Sequence, residues 1–178
     1  MPSVTYRALC PTDIIRSLFS HFIRHQVVTD CRRRVDGAWM VRPDPFIDDW
    51  SEEDYSFLVR CLCRTLQTGG AVFGAFVNGK LKGFASVEAE PLGRDGNYRD
   101  LTSLHVSEDM RGQGIGKVLF RMAADWALQQ GAQKLYISSH SAVETQAFYQ
   151  AVGCVDTVEP QAEHVQREPF DCQLEYTL

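Results

Sequence analysis

The stretch from Leu101 to Gln130 constrains this chain more than any other. It opens with an apolar run, Leu101-Thr102-Ser103-Leu104-His105-Val106, which reads as a strand, and continues through a polar turn, Ser107-Glu108-Asp109-Met110. Arg111-Gly112-Gln113-Gly114-Ile115-Gly116 then leads directly into a segment with Val118, Leu119, Met122, Trp126 and Leu128 at helical spacing. That spacing predicts a helix with one apolar face turned toward a sheet. Gly131 stands where a left-handed residue would end it. The first N–H groups of a helix have no partner inside it, and the macrodipole adds partial positive charge there. With Gly112, Gly114 and Gly116 removing Cβ atoms that would keep a phosphate away, the turn reads as an anion site.

The spacing is not the dinucleotide fingerprint, because the glycines fall in a different pattern and no acidic residue closes a following strand to read a ribose. Nor is it a P-loop, since no Lys-Ser or Lys-Thr follows the glycines. The arrangement Arg111-x-x-Gly114-x-Gly116, after a strand ending Leu104-x-Val106, resembles the pyrophosphate loop of the GNAT acyltransferase superfamily. That resemblance implies acetyl-CoA as the cofactor, its phosphates held by Arg111, Gly112, Gln113, Gly114, Ile115, Gly116 and Lys117. It also implies that the pantetheine arm lies along the backbone of Leu104, His105 and Val106, completing a sheet edge. A tight strand-to-helix turn with no ligand is the alternative.

At 178 residues the chain is long enough for a single domain, 1–178, with its own core. A net charge of −5 argues against a nucleic-acid partner. No apolar run approaches the roughly eighteen residues of a membrane span, and the first residues, with Arg7, Asp13 and Arg16, do not read as a signal peptide. The expectation is therefore a cytoplasmic protein with no membrane partner. The cysteines at 10, 31, 61, 63, 154 and 172 lack zinc-knuckle spacing and read as reduced thiols; no metal site is expected.

Val4 to Leu9 reads as an edge strand, and Pro11-Thr12-Asp13 as the start of a helix carrying Ile14, Ile15, Leu18, Phe19, Phe22 and Ile23. Thr29 to Trp50 reads as a polar connecting loop, because Pro43 and Pro45 disfavour a helix. Its large aromatics Trp39, Phe46 and Trp50 are candidates for an acceptor wall, a role the resemblance gives to this connection, or for packing anchors. Ser51-Glu52-Glu53-Asp54 predicts a capped helix to about Gln67. Ala71 to Val77, the turn Asn78-Gly79, and Leu81 to Ala89 predict a hairpin. Lys134 to Ser138 reads as a strand and Val143 to Val152 as a helix ended by Gly153. Cys172, Leu174 and Tyr176 alternate in a last strand expected to pair near Cys154 to Val158.

The run Thr145-Gln146-Ala147-Phe148-Tyr149-Gln150-Ala151-Val152-Gly153-Cys154 is similar to the superfamily's Ala-x-x-x-Tyr-x-x-x-Gly-Phe signature. The resemblance makes Tyr149 the acid that protonates a departing thiolate and a neighbour of the cofactor sulfur. Thr145 and Cys154 depart from that pattern, and Ala142 stands where relatives carry an asparagine; Ser139 or Ser141 are the replacements at hand. A base is needed as well, since an ammonium has no lone pair. Asp100 falls where some relatives carry an acid, Glu88 and Glu90 lie on the adjacent strand, and His105 has a suitable ordinary pKa but should point away from Leu104 and Val106. Acids before the last strand, Glu159, Glu163, Glu168 and Asp171, would face the acceptor mouth or simply be solvated.

The expected fold is α/β (α+β): a GNAT-like mixed, mostly antiparallel sheet of six to seven strands with about four helices. The expected activity is N-acetyl transfer to a primary amine of a small cationic molecule or a protein, in a ternary complex. Many relatives by this resemblance are homodimers. A non-catalytic acyl-CoA-binding sensor with the same fold is the alternative.

Overall fold

The computed structural model describes residues 2–178. The strands are β1 (Val4–Ala8), β2 (His25–Val35), β3 (Ala38–Asp49), β4 (Ala71–Val77), β5 (Lys80–Val87), β6 (Tyr98–Val106), β7 (Lys134–Ser139), β8 (Val155–Asp156) and β9 (Cys172–Thr177). The α-helices are α1 (Glu52–Gln67), α2 (Ile115–Gln129), α3 (Val143–Val152) and α4 (Ala162–Arg167). A seven-stranded sheet runs in the order β1-β4-β5-β6-β7-β9-β8, with β2 and β3 forming a separate hairpin. The pairing of β6 with β7 is parallel and the other pairings are antiparallel. This is the mixed, mostly antiparallel sheet expected.

Most elements form where local chemistry asks for them. Ser51 and Asp54 exchange side-chain and backbone hydrogen bonds at the start of α1, the reciprocal cap that its sequence promises. Asn78 and Gly79, both with positive φ, close the β4–β5 hairpin. One core layer, including Val87, Leu101, Leu119, Ala123 and Ile137, lies between the sheet and α2. A second, including Phe19, Leu62, Val72, Leu81 and Phe84, lies between the opposite face and α1. All six cysteines are free thiols.

The structure corrects two expectations. The helix predicted from Pro11 is instead a pair of 3-10 turns, Pro11–Asp13 and Arg16–Phe19. Asp13 accepts from the Cys10 N–H at 2.7 Å and from Arg7 at 2.8 Å, closing the first turn, and Ile15 is extended with φ −131°. Ile14, Phe19 and Phe22 still reach the core, whereas Ile15 and Ile23 are exposed. The fourth α-helix is α4, which carries Glu163 ahead of the last strand.

Thr29 to Trp50 is not a loop but most of the β2–β3 hairpin, turned at Asp36-Gly37. Pro43 and Pro45 are tolerated because a two-stranded ribbon leaves one edge of each strand without ladder bonds. The hairpin docks on the chain between β7 and α3: Arg32 N–H donates to Ser141 O at 2.8 Å, and Val28, Cys31 and Ala142 form a small buried cluster.

Gly83 on β5 sets how closely α2 approaches the sheet. A Cβ there would lie 2.9 Å from Ile115 Cγ2 and 3.0 Å from Leu119 Cδ1, both wholly buried. Gly83→Val is expected to lower the unfolding free energy by about 1–3 kcal/mol through overpacking, read as a lower urea midpoint at unchanged m-value.

Candidate functional site

β6 and β7 pair only from Tyr98 to Asp100, against Lys134 to Tyr136. Beyond that point β6 stays with β5 and β7 stays with β9, so the two strands part. A cleft of about 710 Å³ opens there, lined by residues 101–106 on one side and 138–140 on the other. Ser107 N–H donates to Lys82 O at 2.8 Å, which fixes the phase of the β5–β6 ladder. Antiparallel alternation then directs the peptide groups of His105 at β5 and those of Leu104 and Val106 into the gap. The Val106 carbonyl is met by Arg111 Nε at 3.3 Å.

The glycine turn forms one end of this cleft. Gly112 and Gly114 have φ of +75° and +80°, and nothing lies within 4 Å of a Cβ built on either. They are glycines because of backbone conformation. Gly116 differs: its Cβ would press on the Phe148 ring at 3.2 Å, so it serves the contact between α2 and α3. Gly114 precedes α2 without a side chain to cap it. Among the described residues, no acceptor bonds the N–H groups of residues 112–117; Val118 is the first to be paired, to Gly114 O at 3.2 Å. A helix start left open in this way, flanked by Arg111 and Lys117, suits a phosphate. Gln113 alone of this run does not line the cleft; its amide turns to Met110 Sδ at 3.8 Å.

Tyr149 lines the cleft from α3 and is only 7% exposed, its ring packed against Phe120 and Phe148. Among the described residues its hydroxyl has no hydrogen-bond partner, and it is not one of the fully enclosed polar atoms, so it opens on the cleft. Burial pushes its pKa well above the ordinary tyrosine value, so the proton stays on at neutral pH. Ser139 and Ser141 are both engaged: Gln146 Nε2 donates to Ser139 Oγ at 3.1 Å, and Arg33 donates to Ser141 Oγ.

Asp100 and Glu88 lie together on the opposite face of the sheet. Glu88 N–H donates to Asp100 O at 2.9 Å across the ladder. Glu88 Oε1 accepts from Thr65 at 2.6 Å and Thr102 at 3.1 Å. Asp100 Oδ2 meets His164 Nε2 of α4 at 2.6 Å. The structure thus brings Asp100 to the point where the strands part, but neither carboxylate lines the cleft itself. His105 also belongs to this face, against Trp50 and Phe84. Burial, helped by Arg24 and Arg111, drives its pKa down to about 3, which makes it a poor base.

The three aromatics of the hairpin do not line the cleft. Trp39 donates to Asp156 at 3.0 Å and lies under Arg32, and Trp50 packs against Phe22, Tyr55 and His105. Phe46 touches the cleft only through His140, 5.2 Å between ring centres. The hairpin's contribution to the wall is Arg24, at its base, with Gln26 and Val27. Sequence reasoning missed these because it did not read Asp36-Gly37 as a hairpin turn.

The sequence model described as Acetyltransferase (GNAT) family matches residues 35–154. The chain belongs to the GNAT acetyltransferase family. No curated protein matches its sequence at a significant level. Among solved structures, nourseothricin acetyltransferase superposes with a TM-score of 0.67 at 16% identity, covering 97% of this chain and 95% of that one. The PaiA N-acetyltransferase of Thermoplasma acidophilum, in complex with coenzyme A, gives 0.60 at 16%, covering 99% of each. Ribosomal-protein-alanine N-acetyltransferase of Brucella melitensis biovar Abortus 2308 gives 0.55 at 19%, covering 84% and 90%. At these identities the likeness is one of fold.

His105 gives this GNAT protein a pH signature. Its imidazole stays neutral in the folded state down to about pH 3, whereas an unfolded histidine takes a proton near 6.5. Stability should therefore fall as pH drops below 6.5, by up to about 1.4 kcal/mol per pH unit. Carboxylates with lowered pKa, such as Asp13 and Glu175, act in the same direction only below about 4.5. His164, whose pKa is raised, keeps its contribution constant below 6.5 and loses it above its folded pKa. Urea midpoints compared at pH 6.5 and about 5 should drop for the native protein and stay nearly level for His105→Gln.

Proposed function

We propose that this chain is an acetyl-CoA-dependent N-acetyltransferase acting on a primary amine of a small cationic molecule or a protein. The observation that carries the reading is the parting of β6 from β7, which leaves the open N–H groups of Gly112 and residues 114–117, the unpaired edge of β6 and Tyr149 on one cleft. These residues fit the cofactor. The backbone N–H groups of Gly112 to Lys117, with the charges of Arg111 and Lys117, would hold its pyrophosphate. The Leu104 and Val106 peptide groups would bond its pantetheine arm as an added strand, with the His105 side chain beside it. Bound acetyl-CoA supplies the acetyl group as an activated thioester.

Each remaining role belongs to the chain. The Leu104 N–H, aimed into the gap on the Asp100 side of Val106, would donate to the carbonyl oxygen on which charge develops. The Tyr149 hydroxyl would donate to the departing sulfur. A buried tyrosine is a weaker acid than a thiol of pKa ~8.5, so its strongest contribution is the hydrogen bond it gives to negative charge. Asp100 would take the proton of the attacking amine, with Glu88 beside it as a second carboxylate. Acid and base then sit on opposite faces of β6, which lets the amine approach from the side away from α2 and α3. The structural relatives are named for acceptors as unlike as nourseothricin and a ribosomal-protein alanine, so the acceptor is argued from this chain alone. Asp100, Glu88 and Asp171 favour a cation on that face.

Release of thiol from acetyl-CoA, followed against a panel of a polyamine, an aminoglycoside, lysine and a peptide with a free N-terminus, tests this. A blank without amine corrects for the protein's own cysteines. Tyr149→Phe should lower amine-dependent release about tenfold or more while calorimetry shows unchanged acetyl-CoA binding. Gly114→Val should weaken that binding about tenfold, because a branched residue at φ +80° costs roughly 1–2 kcal/mol. Binding without release from any amine would overturn the transferase reading in favour of an acyl-CoA sensor; no binding would overturn both.

A further inference from the structure

α4, in the chain between β8 and β9, places one imidazole against Asp100, where β6 and β7 part. Asp100 is the last residue of β6 paired with β7, opposite Tyr136. Its Oδ2 meets His164 Nε2 at 2.6 Å, with both side chains largely buried at 13% and 16% exposure. Its other oxygen, Oδ1, has no hydrogen-bond partner among the described residues and is not enclosed, so it stays reachable. His164 is held on its second side by the Tyr136 ring, 5.0 Å between centres. Its Nδ1 is fully buried without a partner among the described residues. A buried N–H without an acceptor is costly, which favours the neutral tautomer carrying its proton on Nε2, where it donates to Asp100.

We infer that His164 is a positioning residue for amine acetylation, fixing the Asp100 carboxylate by Oδ2 so that Oδ1 is presented to the acceptor's amine. The inference rests on the transferase reading above. The proton balance is simple: the neutral amine's nitrogen bonds the acetyl carbon, the carbon–sulfur bond breaks, the sulfur leaves as a thiolate hydrogen-bonded by Tyr149, and the amine's proton passes through a water to Asp100 Oδ1. His164 keeps its own Nε2 proton throughout and limits the rotation of the carboxylate. A flexible aspartate would otherwise spend its time in orientations useless for this transfer. The logic is that of an oriented acid–imidazole pair, with the carboxylate rather than the imidazole facing the substrate.

The charges around His164 come from every element packed on it. The hydrogen bond to Asp100 raises its pKa most, burial opposes this, and Arg167 and Glu163 of α4 act in opposite senses. Asp171, ahead of β9, lies near enough to feel His164, and its own pKa is raised by burial. Protonated His164 draws charge from the Asp100 carboxylate and makes it a poorer acceptor. Turnover should therefore rise with pH as His164 loses its proton.

The test uses the full chain, acetyl-CoA and the amine found active in the panel, with 1,4-diaminobutane as the default probe. His164→Leu should lower kcat about tenfold or more with an unchanged KM for acetyl-CoA. His164→Gln, whose amide can donate to Oδ2 as Nε2 does, should recover much of kcat but lose the pH limb. That limb in the native protein should coincide with the His164 imidazole titration seen by NMR in the absence of any ligand. The same titration should move down in Asp100→Asn. Thermal unfolding of each variant confirms that it folds, and a His164→Leu that does not fold leaves the His164→Gln profile and the NMR shift to decide. The inference is overturned if folded His164→Gln keeps the native pH profile, or if the His164 titration ignores Asp100→Asn. If Asp100→Asn loses activity while His164→Leu does not, Asp100 remains the base and only the positioning role fails. No amine-dependent release from the native protein overturns the transferase reading and this role with it.

Discussion

The parting of two parallel strands governs this molecule. A β-strand needs partners for its peptide groups on both edges, and the far edge of β6 loses its partner after Asp100. The cost of that bare edge is offset by flanking structure: α2 and α3 pack one face of the sheet, and α1 with the 3-10 turns packs the other. The result is a rigid gap with polar backbone on its walls, a geometry that a ligand with regularly spaced amides can complete as a strand would. Most of the chemistry assigned to the chain depends on this gap.

Around it the protein separates charges by face. The end suited to an anion, with open N–H groups, Arg111 and Lys117, lies at the start of α2. The carboxylates Asp100, Glu88 and Asp171 lie on the other face, tied to α1, α4 and β7 by hydrogen bonds to Thr65, His164 and Ser138. One central strand thus separates a surface suited to phosphate from one suited to a cation. Tyr149 and His105 are each desolvated, one kept protonated and the other kept neutral, so neither charges near neutral pH. The groups left to respond to pH at the apex are those coupled to Asp100.

The hairpin shows how a family fold accommodates its own variation. Where a helix-to-helix connection was expected, an extended ribbon reaches across to the chain after β7, held by the Arg32–Ser141 backbone bond and the Cys31–Ala142 bridge. Its large aromatics anchor it to the body of the protein, and its base supplies Arg24 to the cleft. Arg24 is 8% exposed, lies over the Trp50 ring and is paired with Asp48 at 2.5 Å. Desolvation lowers its pKa, yet it stays cationic as guanidinium does.

The sequence by itself determined the parts whose signals are local. The Leu101–Gln130 unit, the capped α1, the Asn78-Gly79 hairpin and the helix carrying Tyr149 are written in short-range periodicity, caps and turn residues, and the family follows from them. The tertiary structure decided what distant pairings control. Pro43 and Pro45 excluded a helix but did not announce a ribbon, because whether a proline fits a strand depends on which edge is bare. The apolar residues after Pro11 marked Ile14, Phe19 and Phe22 for the core but did not fix helical form, since Asp13 closes the turn through Arg7 and the Cys10 amide. The Asp100–His164 contact joins residues 64 positions apart, on elements with no shared local pattern. A strand's register and a short helix's docking are set by the packed sheet beneath them, and no local sequence pattern carries that information.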